Sequence, residues 1–119
     1  MVIKKLDIGE FMKSTRYYSC RQEKQIAKTM GGKQTPNSGA TAFSKGDIKT
    51  KSFLIEAKTT TRHKDSFSVK LNWLLKNKEE AFAMNKPYCA LGFNFGPDEP
   101  NYYIIDEKLF KKLVEYIEQ

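Results

Sequence analysis

Two cysteines, one histidine and one tryptophan are all that the 119 residues contain of those types, and the scarcity closes several routes. Cys20 and Cys89 lie far apart without CxxC-type spacing, which points to two unpaired thiols in a reducing compartment rather than a cysteine metal motif or a disulfide framework. Cys89, inside the apolar run YCALGFNF, belongs in the core. The single histidine, His63 in TTTRHKDS, reads as a solvated loop residue in one view and as a functional group in the other. No apolar run is long enough to span a bilayer, no basic amphipathic helix stands out, and MVIKKLDIGEFMK lacks a signal-peptide hydrophobic region, so no membrane association and an intracellular, cytoplasmic location are expected. Acids are also in short supply. Lysine and arginine number 21 against 14 aspartates and glutamates, a net charge of +7. That balance favours a polyanionic partner, with nucleic acid the first candidate.

The length suits one domain over residues 1–119, and no repeat or low-complexity segment interrupts it. Residues 1–15 are weakly patterned and are expected to form an arm. SCRQEKQIAKTMGG predicts a helix from Ser19, with Ser19 and Gln22 at capping-box spacing and Gly31-Gly32 as its stop. Its inward stripe is Ile26, Ala27 and Met30, and Glu23 stands at the edge of that stripe. The plain reading of Glu23 is a boundary carboxylate paired with a lysine. A loop follows, KQTPNSGATAFSKGD, in which Ser38 has turn-forming neighbours. LNWLLKNKEEAFAMNKP predicts a second helix with Leu71, Leu74, Leu75 and Phe82 inward. Trp73 lies off that stripe, either exposed at a subunit interface or half-covered at the stripe's edge. YCALGFNF reads as a central strand covered on both faces. GPDEPN is a turn, YYIID a further strand, and EKLFKKLVEYIEQ a closing helix with Leu109, Phe110, Leu113 and Ile117 inward. Helix, hairpin, helix, strand, strand, helix implies an α/β domain with a mixed central β-sheet flanked by helices.

The chemistry concentrates in KGDIKTKSFLIEAK. Phe53-Leu54-Ile55, followed by Ala57, predicts a strand preceded by a turn at Lys49-Thr50-Lys51-Ser52. Alternation puts Leu54, Glu56 and Lys58 on one face and Phe53, Ile55 and Ala57 on the other. If the preceding segment pairs antiparallel through that turn, Asp47 falls opposite Leu54 or Glu56, within reach for two carboxylates to converge on one ion. Magnesium is a hard cation held by one or two carboxylates plus water and phosphate oxygens. Lys58 on the same face could orient an attacking water or stabilise developing negative charge. Acid-x-lysine on a strand is common on ordinary surfaces. Its weight comes from the combination with Asp47, the helix acid Glu23 and the strong positive charge.

Asp47, then eight residues, then Glu56-Ala57-Lys58 resembles the signature of the PD-(D/E)XK nuclease superfamily. Glu23 looks like the additional glutamate on the first helix of those enzymes, and NSGA ahead of KGDI is similar to the Ser-Gly that precedes the aspartate in Holliday junction resolvases of the archaeal type. QEKQIAK, GGK, PNSGATAFSKGD, FLIEAKTT, SFSVK, WL and KEEAFA together resemble small phage or prophage resolvase-like endonucleases. The likeness covers about residues 19–95. Gly46 stands where the family name has proline. The resemblance implies a restriction-endonuclease-like core and divalent metal, Mg2+ with Mn2+ able to substitute. It implies Asp47 and Glu56 as ligands, Lys58 as the catalytic lysine and Glu23 joining the metal directly or through water. DNA phosphates would be met by Ser38, with Lys45, Arg62 and Lys64 beside it.

The expected function is therefore a structure-selective endonuclease that resolves branched DNA such as four-way junctions. A nicking or restriction-type duplex nuclease is one alternative. A non-catalytic DNA-binding protein on the same fold is another. Paired cuts on strands related by two-fold symmetry imply a homodimer, with the N-terminal arm and the Trp73 helix as interface elements.

Overall fold

Alternation along residues 53–58 organises the molecule, because the two faces of this strand are buried under different helices. The computed structural model describes residues 15–35 and 47–119, and the arm expected at residues 1–15 lies outside them except for Thr15. The elements in chain order are α1 (Thr15–Met30), β1 (Lys33–Gln34), β2 (Asp47–Lys49), β3 (Phe53–Lys58), α2 (Leu71–Ala83), β4 (Tyr88–Phe93), β5 (Tyr102–Ile104) and α3 (Glu107–Ile117). They build an α/β fold around a five-stranded sheet with spatial order β1-β2-β3-β4-β5. Only β3 and β4 are parallel, and α2 is the crossover between them; the other neighbours run antiparallel. This is the mixed sheet with flanking helices that the order of elements implied.

Ile48 on β2, Ile55 on β3 and Ala90 on β4 point to one face and pack with Ile26 of α1, joined by the half-buried Phe53, Ala57 and Tyr103. The opposite face carries Leu54, Glu56 and Lys58 and lies under α2. Asn77 of α2 anchors that helix by donating from Nδ2 to the carbonyl of Ala90 at 2.9 Å. Parallel pairing sets Glu56 beside Leu91 and Lys58 beside Phe93. The acids and the lysine therefore stand toward the end where β3 and β4 finish.

Several expected boundaries and faces shift. Helix α1 begins at Thr15, so Ser19 is not its cap but an interior residue. Its end matches: Gly31 adopts φ +66°, and the amide of Gly32 donates to the carbonyl of Ala27 at 2.9 Å, closing the helix with a left-handed glycine. Its inward face is Gln22, Glu23 and Ile26, while Met30 is exposed. Lys49 belongs to β2 rather than to the turn, which tightens to Thr50–Phe53. Lys33-Gln34, expected in a loop, forms a short edge strand against Lys49 and Ile48.

The stripe expected on α2 is also rotated. Leu71, Leu75 and Phe82 are exposed, whereas Asn77, Glu80 and Ala81 are buried and Trp73 is half-covered. Residues 73, 77, 80 and 81 form an i, i+4, i+7, i+8 face, so the helix turns Asn77 and Glu80, along with Trp73 and Ala81, to a sheet face on which Glu56 and Lys58 stand beside the buried Leu54 and Leu91. On α3, Leu109 is buried as expected, but Phe110, Leu113 and Ile117 face solvent. Both cysteines are free and half-buried.

Candidate active site

The antiparallel register places Asp47 directly opposite Glu56. Directly opposed side chains on one face lie about 4.5–5.5 Å apart at Cβ, so two carboxylates face each other across the ladder. Asp47 is 1% exposed, and among the described residues neither of its oxygens has a hydrogen-bond partner; Oε2 of Glu56 is likewise buried and without one there. Like charges held this way destabilise each other. Burial first, then Glu80, Glu56 and Glu23, push the Asp47 carboxyl up to about 8, with Lys58 pulling in the other direction.

Lys58 completes the face. Its Nζ lies 3.7 Å from Oε1 of Glu56 and 4.6 Å from the ring centroid of Trp73. Lys70 Nζ lies 5.7 Å from the same ring. The tryptophan that sequence patterning set off the inward stripe is thus a floor beneath the lysine, held in turn against Phe67 with centroids 6.3 Å apart. A cation over an indole face is worth about 0.5–2 kcal/mol. Since Trp73 is the sole tryptophan, its emission should report directly on this contact. Lys58→Met is expected to shift the fluorescence maximum or intensity of Trp73 while leaving the far-UV circular dichroism unchanged; an identical emission spectrum would show that the ammonium does not rest on the ring in solution.

Two contributors were not legible from the sequence. Gln22, buried on α1 one turn before Ile26, donates from Nε2 to the carbonyl of Lys58 at 2.7 Å and to Oδ1 of Asn101 at 3.2 Å. It fixes the backbone that carries the lysine. Glu80 on α2 is buried, lies 3.9 Å from Lys76 and acts on Asp47 more strongly than either Glu56 or Glu23 does. Burial together with Glu56 raises the pKa of Glu80 as well. The only sequence signal for either was a polar residue on a helical face that also carries buried apolar ones.

Glu23 projects from α1, the helix on the opposite side of the sheet. It is buried and hydrogen-bonded to Gln34, and burial raises its pKa against the opposing influence of Gln34 and Arg16. It is coupled to Asp47 through charge, and among the described residues no lysine partner of the kind the plain reading expected pairs with it. Arg62 and Lys64 are exposed on the loop leaving β3, where the Lys64 amide donates to the Phe95 carbonyl at 2.8 Å. His63 on that loop sits with Nδ1 3.0 Å from Oε1 of Glu99, a contact that ties the loop to the turn after β4. Ser38 and Lys45 lie outside the described residues.

Among the described residues, no three histidine, cysteine, aspartate or glutamate side chains converge closely enough to hold a metal by themselves. The orphaned oxygens of Asp47 and Glu56 nonetheless suit a hard divalent cation, which takes one or two carboxylates and completes its shell with water and phosphate. The sequence matches no family model, no curated protein and no solved structure. Among the described residues, no helix is long and apolar enough to cross a membrane.

Proposed function

We propose that this protein is a metal-dependent DNA endonuclease of the PD-(D/E)XK type, hydrolysing phosphodiester bonds in branched DNA. The observation that carries the reading is the pair Asp47 and Glu56: two opposed carboxylates with three buried oxygens that have no hydrogen-bond partner among the described residues, beside a lysine. A purely structural role would leave these groups as uncompensated destabilisation, since buried acids without partners cost stability. The +7 net charge supports a polyanionic substrate.

Asp47 and Glu56 would hold a divalent cation, with Glu23 and Glu80 setting the charge around them. When bound, such an ion neutralises the non-bridging phosphate oxygens and lowers the pKa of a bound water. Lys58, poised between Glu56 and the Trp73 ring, would orient the attacking water or meet the charge that builds on the phosphorane. Gln22 keeps its backbone in place and Trp73 its side chain. Arg62 and Lys64 on the adjoining loop, together with Ser38 and Lys45, would contact phosphates. Contacts of that kind read backbone shape rather than base sequence, in keeping with selection for branch geometry.

The deciding experiment incubates the purified chain with labelled four-way junctions, flaps, duplex and single strands, with Mg2+, with Mn2+ and with chelator. Metal-dependent cutting confined to branched DNA is the expected result. Equal cutting of plain duplex would reassign the enzyme to the nicking or restriction type. Tight junction binding with no cleavage in either metal would make it a binding protein. Lys58→Ala should slow the single-turnover rate about tenfold or more with DNA affinity retained, and Trp73→Ala should slow it about two- to thirtyfold, the rate equivalent of one cation–π contact. Trp73→Phe, which keeps an aromatic face, should recover most of the loss; if it behaves as Trp73→Ala does, the ring serves packing alone.

A further inference from the structure

The row of side chains next to the two acids is aromatic. Register sets Lys58 beside Phe93 on β4 and Phe93 beside Tyr102 on β5, so the three stand in line on the face that also carries Glu56. Phe93 and Tyr102 meet with ring centroids 5.9 Å apart, and Phe95 closes on both at 5.5 and 5.8 Å. Phe67, on the loop before α2, packs on Phe93 at 5.2 Å and leads through Trp73 to the Lys58 ammonium. One aromatic surface therefore runs from the candidate lysine to β5, an edge strand of the sheet. At about 4.8 Å per strand, Tyr102 lies two strands, or about 10 Å, from Lys58.

These rings are not closed off as core rings are. Phe67, Trp73, Phe93 and Phe95 are only half-buried, and Tyr102 at the outer end is 51% exposed. Their surroundings are cationic. Lys58 and Lys70 stand over Trp73, and the loop of residues 59–70 that carries Phe67 has Arg62, Lys64 and Lys70 against the single acid Asp65. Aromatic faces interleaved with cations suit a single strand of nucleic acid, whose bases stack on the rings while the bases of the protein follow its phosphates. A duplex has no use for such a surface, because its bases already stack on one another. Charge alone would accept any polyanion; the rings select the unpaired strand.

We propose that Phe93, Phe95 and Tyr102 form a stacking platform for unpaired DNA bases beside the phosphate to be cut. The substrate class is then branched DNA with an unpaired segment at the branch, such as a flap or a gapped junction, in preference to a fully paired four-way junction. The inference rests on the nuclease reading for the place of the phosphate, whereas the platform itself is tested by binding alone.

Binding of the full chain is measured in chelator, at matched salt, to three labelled DNAs: a duplex with a short thymidine flap, the same duplex with a flap of abasic units, and the duplex without a flap. The abasic flap keeps every phosphate and removes only the bases. The wild-type chain should hold the thymidine flap about tenfold or more tightly than the abasic one, the equivalent of one stacked base. Tyr102→Ala, and Tyr102→Leu, which keeps apolar bulk against Phe93 and Phe95, should each erase that preference while affinity for the abasic flap and the plain duplex is unchanged. Tyr102→Trp should retain it. Melting temperatures identify any variant that has lost its fold. A wild-type chain that binds both flaps equally, a Tyr102→Leu chain that keeps the preference, or an equal loss on plain duplex would each overturn the platform. Cleavage of the same DNAs with Mg2+ is read separately. A base-dependent preference without any cutting sinks the nuclease reading and leaves the platform; equal binding and equal cutting of both flaps sinks the platform and leaves the nuclease.

Discussion

Replacing either opposed acid, Asp47→Ala or Glu56→Ala, is expected to reduce metal-dependent cleavage by about a thousandfold or more while DNA affinity is kept. Electrostatic stabilisation through a bound divalent ion is worth several kcal/mol in the transition state, and about 4 kcal/mol corresponds to that factor. Binding should survive because the basic surface is untouched and one negative charge near the phosphates is gone. A second readout distinguishes catalysis from architecture. Asp47 is buried with both carboxylate oxygens unpartnered among the described residues, so its removal should leave the metal-free fold at least as stable as before. A residue kept for structure would give the opposite result. Single-turnover cleavage, binding at matched salt and thermal melting in chelator form the complete test. Loss of binding, or a destabilised Asp47→Ala chain with normal cleavage, would remove Asp47 from the site.

The second large effect is on the pH dependence of stability without metal. In the unfolded chain Asp47 ionises near its ordinary value of 3.8, whereas in the fold burial and the neighbouring Glu80, Glu56 and Glu23 hold it at about 8. Between those values the folded state binds the extra proton, so stability falls as pH rises through the window and levels off above about 8. Glu23 and Glu80 are shifted in the same direction. Asp106, held low chiefly by the Leu109 amide and then by Lys78, has the opposite sign but acts below the ordinary carboxylate range. From about pH 5 to pH 8 the Asp47 contribution is on the order of 4 kcal/mol, at about 1.4 kcal/mol per pH unit. In chelator, the melting temperature should therefore drop across this range. Asp47→Asn should flatten the drop, and millimolar Mg2+ should reverse it at the alkaline end by binding the ionised form. A flat wild-type profile, or one unchanged by Asp47→Asn, would show that the carboxylate is not held protonated.

Both effects arise from one arrangement: the sheet register brings two acids together where, among the described residues, no donor meets three of their oxygens. The cost in stability is borne by the rest of the fold, as is usual where function requires groups that packing alone would reject.

How far the sequence determined this can be followed residue by residue. Strand alternation in FLIEAK put Glu56 and Lys58 on one face, and the short turn ahead of it limited Asp47 to two partners. The order of elements implied the mixed α/β sheet, and Gly31-Gly32 marked where α1 stops. These are local properties, carried by periodicity and by backbone preferences that act within a few residues. Which partner Asp47 meets was settled by the tight turn at Thr50–Phe53, which makes it Glu56. The rotation of α2 was beyond the sequence, because helix periodicity identifies an apolar stripe but not whether the surface it meets is apolar. The sheet face under it carries Glu56 and Lys58 beside Leu54 and Leu91; Asn77 and Glu80 turn inward toward it, and Leu71, Leu75 and Phe82 stay outside. That rotation brought Glu80 to Asp47 and Trp73 beneath Lys58. The stripe on α3 was legible, but not that Phe110, Leu113 and Ile117 stay exposed among the described residues. Burial depends on what folds against a surface, and only the tertiary structure decides that.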